Sequence, residues 1–131
     1  MTAPGARERG FTLLELITVI SIIAILSAIA LPNYKAAIIQ AKEAVLQEDL
    51  FQFRDRIDQY YADKGKYPET LETLLEQGYL RKIPPDPMTG SANWEVVPAE
   101  PDPDDPEATG IYDVHSSSTL TSASGTPYRE W

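Results

Sequence analysis

Near its amino terminus the chain carries an uninterrupted apolar run, and apolar residues at helical spacing follow it. The run, residues 11–31, has the length of roughly 20 residues that a helix needs to cross a bilayer, and Glu15 is its single charge. Two further sets recur every three or four positions, with a one-residue step between the sets: Tyr34, Ile38, Ala41 and Val45, then Leu46, Leu50, Phe53, Ile57 and Tyr60. The pattern predicts one long helix, with a transmembrane part at residues 11–32 and an extramembrane part at residues 33–64.

Two features modify this predicted helix. Pro32 lacks a backbone donor and crowds the preceding turn, so we expect a kink or a locally unwound stretch there. This feature either marks the membrane exit or has a role in assembly. The helix should end near Gly65, because glycine readily takes the left-handed conformation that ends many helices. We expect the first apolar set to face neighbouring molecules and the second set to pack against a globular head.

Residues 65–131 have the pattern of a small head in which a short helix precedes a sheet. Residues 66–80 indicate a turn, a short helix with inward-facing leucines (Leu71, Leu74 and Leu75) and a glycine stop. Residues 94–97 and 111–115 are rich in β-favouring residues and predict two strands, while the proline-rich and acidic residues 98–110 predict a solvated loop. The predicted fold class is therefore α+β. Its predicted core comprises Phe53, Ile57, Leu71, Leu74, Tyr79 and Trp94.

Charge and composition narrow the function. The 131 residues carry 20 acidic and 11 basic side chains, a net charge of −9, which argues against nucleic acid as a partner. Arg7 and Arg9 precede the apolar run, so the amino terminus should stay in the cytoplasm and the head should be periplasmic. The chain has no cysteine, which excludes thiol catalysis and leaves the head without a disulfide.

Enzymatic and metal chemistry find little support in the sequence. The single histidine, His115, has no positioned acid, and the serines that follow it lack the G-x-S-x-G motif of a catalytic serine. The chain also has no phosphate-binding glycine loop or zinc-ligand cluster. The loop acids Asp102, Asp104, Asp105 and Glu107 lack the spacing and the glycine of an EF-hand. We therefore expect no catalytic residue and no metal in this loop.

The start of the apolar run resembles a known signal. Residues 10–15 read GFTLLE, follow a basic segment and lead into the apolar helix, which resembles the type III signal of type IV pilins and type II secretion pseudopilins. The resemblance implies that a prepilin peptidase removes residues 1–10 by cutting between Gly10 and Phe11, and that the amino group of Phe11 is then methylated. It also implies that Glu15 and Phe11 act in filament assembly.

Two physical explanations account for the presence of Glu15 in the apolar run. A charge in the hydrocarbon region costs roughly 2.5–3.5 kcal/mol, so an acid retained there commonly has a partner or a function. Alternatively, Glu15 lies close enough to the end of the span to reach the lipid headgroups, where the cost is smaller.

The head adds a more specific resemblance. Residues 66–90 read KYPETLETLLEQGYLRKIPPDPMTG and are followed by Trp94, which together resemble the G-type major pseudopilin of type II secretion. The resemblance implies a type IV pilin-like fold and a structural subunit of a periplasmic pseudopilus that drives protein export. The implied partners are other copies of the chain through the amino-terminal helix, minor pseudopilins and the inner-membrane secretion platform. A type IV pilus major pilin for adhesion or motility, and a monomeric membrane-anchored binding protein, remain alternatives.

The resemblance also raises a calcium site, since G-type subunits commonly bind calcium in their last loop through aspartates and carbonyls. Here that loop, residues 116–127, contains no carboxylate, whereas calcium prefers six to eight oxygens that include carboxylates. We therefore expect no cofactor. Hydroxyl-to-backbone bonds should order the loop instead, with Tyr128 and Trp131 closing over the sheet.

Overall fold

A computed structural model describes residue 10 and residues 12–131 of the chain. Its elements are, in order, helix α1 at Leu13–Lys64, helix α2 at Leu71–Glu76, strand β1 at Glu95–Pro98, strand β2 at Ile111–His115 and a 3-10 turn at Tyr128–Glu130. The two strands pair antiparallel, with Glu95 opposite His115. This architecture confirms the predicted α+β, type IV pilin-like fold.

Helix α1 forms as the apolar periodicity predicts, over 52 residues. At its start the hydroxyl of Thr12 accepts a hydrogen bond from the backbone N–H of Glu15 at 3.2 Å, and at its end Gly65 has a φ of +71°. The helix continues through Pro32 without interruption. The unwound stretch that we expected there is thus not seen in the described helix, and the kink stays a prediction.

Contacts within the chain divide it into two units, Met1–Ile39 and Gln40–Trp131. In the first unit every described residue from 12 to 39 is exposed in the single chain. In the second unit the second apolar set of α1 is buried, as predicted, and packs with residues of the head: Leu71, Leu74, Trp94, Ile111, Val114 and Tyr128. The rings of Phe53 and Trp94 meet edge-on at 5.0 Å in this core.

Helix α2 differs from the sequence prediction at one residue. The Thr70 hydroxyl caps the helix by accepting from the N–H of Thr73 at 3.2 Å, and Leu71 and Leu74 are buried. Leu75, which we predicted to face inward, is 38% exposed. A helix of one and a half turns presents a single narrow stripe to the core, and positions three apart occupy that stripe. Tyr79 is half-buried, and its hydroxyl donates to Asp63 at 2.7 Å.

A close approach at Gly110 sets where the acidic loop meets the head. A Cβ atom at Gly110 would lie 2.6 Å from the Cβ of Tyr67, so only glycine fits there without a shift. The next residue, Ile111, donates its N–H to the carbonyl of Pro68 at 2.8 Å. The loop that precedes strand β2 is therefore held beside Tyr67.

Candidate functional site

The amino-terminal end of α1 contains the residues expected to act in processing and assembly. Gly10 is exposed, whereas Phe11 lies outside the described residues, so cleavage and methylation there stay predictions. Glu15 lies in the first turn of α1, where a carboxylate is favoured by the helix dipole. With Thr12 three residues earlier, it occupies the acidic position of a capping box. The Glu15 carboxylate itself makes no hydrogen bond to Thr12, so helix capping is an alternative explanation for this acid, beside a role in assembly.

The rest of the first unit is an apolar surface without cover in the single chain. Its large side chains are 38–74% exposed on all sides of the helix, from Leu13 to Ile39. The hydroxyls of Thr18 and Ser21 donate to carbonyls one turn earlier, at 2.8 and 2.7 Å, so these polar groups are satisfied within the helix. The helix is long and apolar enough to cross a membrane. A surface of this kind requires a bilayer or other apolar helices around it.

In the head, a buried aspartate organises the last loop. Asp86 is fully buried; one carboxylate oxygen accepts from the N–H of Met88 at 2.8 Å and the other accepts from the Ser116 hydroxyl. The Ser116 oxygen in turn accepts from the N–H of Ser118, and the Ser118 oxygen from the N–H of Leu120. Our sequence reasoning did not identify Asp86. The signal available was its position in a proline-rich turn, where aspartate commonly bonds the backbone two residues on.

The carboxyl terminus is tied back onto α1. Tyr128 is buried and donates its hydroxyl to Glu43 at 2.7 Å; this hydrogen bond, followed by burial, raises the pKa of the Tyr128 phenol. Its ring meets that of Trp131 edge-on at 5.1 Å. The guanidinium of Arg54 donates to the Trp131 carbonyl at 2.7 Å. Tyr128 and Trp131 therefore close the end of the chain against the head.

His115 has an acidic neighbour, which we did not expect from the sequence. Its Nε2 lies 3.5 Å from Asp113, while its Nδ1 lies 2.8 Å from the Trp131 carbonyl. Asp113 in turn forms an ion pair with Arg54 at 2.7 Å. Because both partners are occupied by structural contacts, the pair does not have the arrangement of a general base facing a substrate.

The last loop is held by hydrogen bonds within the protein, and the absence of a calcium site there stays an expectation. Its backbone groups bond to one another: Ser122 N–H donates to the Thr126 carbonyl, Gly125 N–H to the Ser122 carbonyl, and Tyr128 N–H to the Leu120 carbonyl. Residues 116–127 supply no carboxylate. Hydroxyls and carbonyls already engaged in this way are a poor donor set for a hard cation. Nor do His, Asp and Glu residues elsewhere in the described part of the chain gather in a metal-binding group of three or more.

Comparison with known proteins decides the family. Residues 5–31 match the prokaryotic N-terminal methylation motif. The chain is 33% identical over 97 residues to the type II secretion system core protein G of Klebsiella pneumoniae, covering 62% of this chain and 69% of that protein. The corresponding protein of Dickeya chrysanthemi is 30% identical over 107 residues, covering 70% of this chain and 69% of that protein. The chain belongs to the type II secretion system core protein G family.

A likeness to pilins is present over a shorter stretch. The type IV major pilin protein PilE1 of Neisseria gonorrhoeae is 42% identical over 64 residues, covering 47% of this chain and 38% of the pilin. No solved structure matches the chain. The broader coverage by core protein G identifies this chain as a membrane-anchored major pseudopilin of type II secretion.

One carboxylate of α1 is poorly accommodated in the fold. Asp49 lies on α1, and its Oδ2 atom is buried with no hydrogen-bond partner among the described residues. Burial is the main cause that raises the pKa of Asp49; the neighbouring carboxylates of Asp86 and Glu48 raise it further, and Lys82 opposes them. Asp49 therefore destabilises the fold when it is ionised.

Replacing Asp49 with asparagine is expected to raise the melting temperature at pH 7. A carboxyl whose folded pKa is raised disfavours folding at any pH above that value, whereas below its ordinary pKa it is neutral in both states. The gain should therefore shrink as the pH falls toward 3.8, the ordinary pKa of aspartate. Thermal unfolding from pH 3 to 8 measures it. Asp58→Asn, which makes the same charge change at an exposed aspartate of the same helix, should give no comparable gain.

Proposed function

We propose that this protein polymerises through α1 into a periplasmic pseudopilus that drives protein export. The observation that carries the proposal is the exposed apolar surface of the first unit, which has a lone acid in the first turn of α1 and overlaps the methylation motif. In the bilayer, lipid covers this surface. In a filament, the same surface of neighbouring helices covers it, so one helix serves as anchor and then as spine.

The expected topology follows from the charges. Arg7 and Arg9 precede the span and favour a cytoplasmic amino terminus, which leaves the acidic head in the periplasm. The protein would then be a single-pass inner-membrane protein before assembly. Its expected partners are the prepilin peptidase, the inner-membrane secretion platform, the minor pseudopilins and other copies of itself.

Cleavage of the leader by the prepilin peptidase is the first step of the proposed assembly and can be tested directly. The mature protein should begin at an N-methylated Phe11, and Gly10→Leu should leave the precursor uncut, because a bulky residue replaces the glycine before the cleaved bond. Mass spectrometry of the amino-terminal peptide measures both. Gly5→Leu, a matched change within the leader, should leave cleavage intact. A mature amino terminus at another residue would contradict the assignment of the signal.

The head should not need calcium to order its last loop, because the bonds from Asp86 and within residues 116–127 serve that purpose. A chelator is therefore expected to leave the melting temperature of the purified protein unchanged. Asp86→Asn should lower it with or without chelator, which shows that the measurement senses this loop. A marked chelator-induced decrease in the native protein would show that a cation stabilises the head.

The likeness to PilE1 makes a surface pilus the second candidate function. The pseudopilus and the surface pilus can be distinguished by deleting the gene and measuring secreted enzymes and surface motility in the same strain. Loss of secretion with normal motility supports the pseudopilus, and the reverse result supports the pilus.

A further inference from the structure

The head contains an open groove of about 720 Å³ at the carboxyl end of α1. Two tyrosines line it, and Tyr61 stacks on Tyr67 with ring centroids 4.5 Å apart and planes inclined by 29°. Beside the groove, Tyr112 meets Tyr67 edge-on at 5.7 Å. Tyr61 is 46% exposed and Tyr112 is 56% exposed, so the aromatic faces are accessible to a partner.

Carboxylates line the rim of this groove. Lys66 is the one basic residue among those that line the groove. The five acidic residues that line it are Glu69, Glu100, Asp102, Asp105 and Glu107. Backbone bonds shape the loop that carries four of them; the N–H of Ala108 donates to the Asp105 carbonyl at 3.0 Å, and that of Ala99 to the Gly110 carbonyl at 2.8 Å. Within the described part of the chain, these five carboxylates form no ion pair. An acidic rim over aromatic faces is suited to cationic side chains.

The same head presents a complementary patch. Arg56 and Arg81 line a second cleft, together with Gln59, Gln77 and Tyr79. The contact of Arg56 with Asp55 is long, at 4.0 Å, and both side chains are largely exposed, so it neutralises little of the charge. Arg81 has no ion pair among the described residues. Each head thus carries an acidic groove and a basic patch, both without a matching partner in the single chain.

We propose that the groove of one head receives the Arg56–Arg81 patch of a second copy of this chain. A guanidinium is planar, so it can stack on Tyr61 and donate to rim carboxylates such as Glu107 at the same time. The two surfaces are different, so the contact is heterologous, and a heterologous contact that does not close generates an open filament. The proposal rests on the proposed function and specifies a surface through which neighbouring heads meet.

Engineered cysteines test this contact directly, because the native chain has none. Ala108→Cys lies in the groove and Gln77→Cys lies in the basic cleft, and neither change removes a charge. Oxidation of full-length filaments with both changes should give a ladder of multimers. The yield should be at least about tenfold above that of the control pair Ala108→Cys with Ala92→Cys, since contact raises the effective concentration of the thiols.

Charge-reversal variants provide a second test of the contact between the groove and the Arg56–Arg81 patch. Arg81→Glu alone and Glu107→Arg alone should each lower the number of filaments and the ladder, and the double variant should restore both. Normal filaments without a ladder from the Ala108–Gln77 pair, or the absence of rescue, would overturn this contact and leave the pseudopilus function intact. Failure of the unmodified chain to form filaments when it is overproduced with its secretion components would overturn the proposed function itself.

Discussion

Replacing Glu15 with alanine is expected to leave membrane insertion and peptidase cleavage intact while filament assembly and export of secreted proteins fall sharply. If the peptidase cuts after Gly10 as proposed, the new amino group at Phe11 will be positively charged, and the Glu15 carboxylate of a neighbouring copy would neutralise it among packed apolar helices. The attraction is stronger out of water, but desolvation offsets much of it. The pair should therefore set the register of the helices, and its loss leaves one charge without a partner.

Helix capping is the alternative explanation for Glu15, and it requires its own control. Glutamine at the same position can still serve a capping box but carries no charge. If charge pairing governs assembly, Glu15→Gln will be as defective as Glu15→Ala, and Glu15→Asp will be partly active. Immunoblotting for processing, electron microscopy of filaments and assay of secreted enzyme measure the three steps. Normal assembly of Glu15→Gln would reassign Glu15 to helix capping, and normal assembly of Glu15→Ala would remove it from the mechanism.

Truncating Leu74 to alanine is expected to lower the free energy of unfolding of the head by about 2–5 kcal/mol. Leu74 is fully buried on α2, so the change leaves a cavity in the core. Leu75→Ala is the matched control, because the adjacent leucine of the same helix is 38% exposed and should cost about 1 kcal/mol or less.

The chain suits this measurement, since both of its tryptophans, Trp94 and Trp131, lie in the head. Denaturant unfolding of the purified protein, followed by tryptophan fluorescence, gives both free energies. Equal effects of Leu74→Ala and Leu75→Ala would contradict the orientation of α2 in the structure.

Local pattern was sufficient to predict most of the architecture. Helix α1 ends within a residue of the predicted position, because a sustained helical period and a terminal glycine are read from neighbouring residues. The strand at Ile111–His115 has the predicted bounds, and the first strand is shifted by one residue to Glu95–Pro98. The motif at Gly10–Glu15 and the order of tyrosine, leucine, glycine and proline residues in residues 66–90 indicated the family that the comparisons show.

The contacts that shape the head were not predictable in this way. Asp86 bonds a serine 30 positions away, Arg54 pairs with an acid 59 positions away, and Tyr128 reaches Glu43 across 85 positions. Each of these residues looks like an ordinary polar or aromatic residue in its own neighbourhood. The acidic loop was likewise predicted only to be solvated, and the structure adds that it forms one side of the tyrosine groove.

The sequence by itself therefore determined the elements, the long apolar helix and the family of this protein. The tertiary structure alone decided which polar groups are buried, which leucine of α2 faces the core and which surfaces carry unmatched charge. The reason is physical. Helical period, capping and turn formation depend on residues within a few positions of one another, whereas burial and ion pairing depend on which distant segments the fold brings into contact.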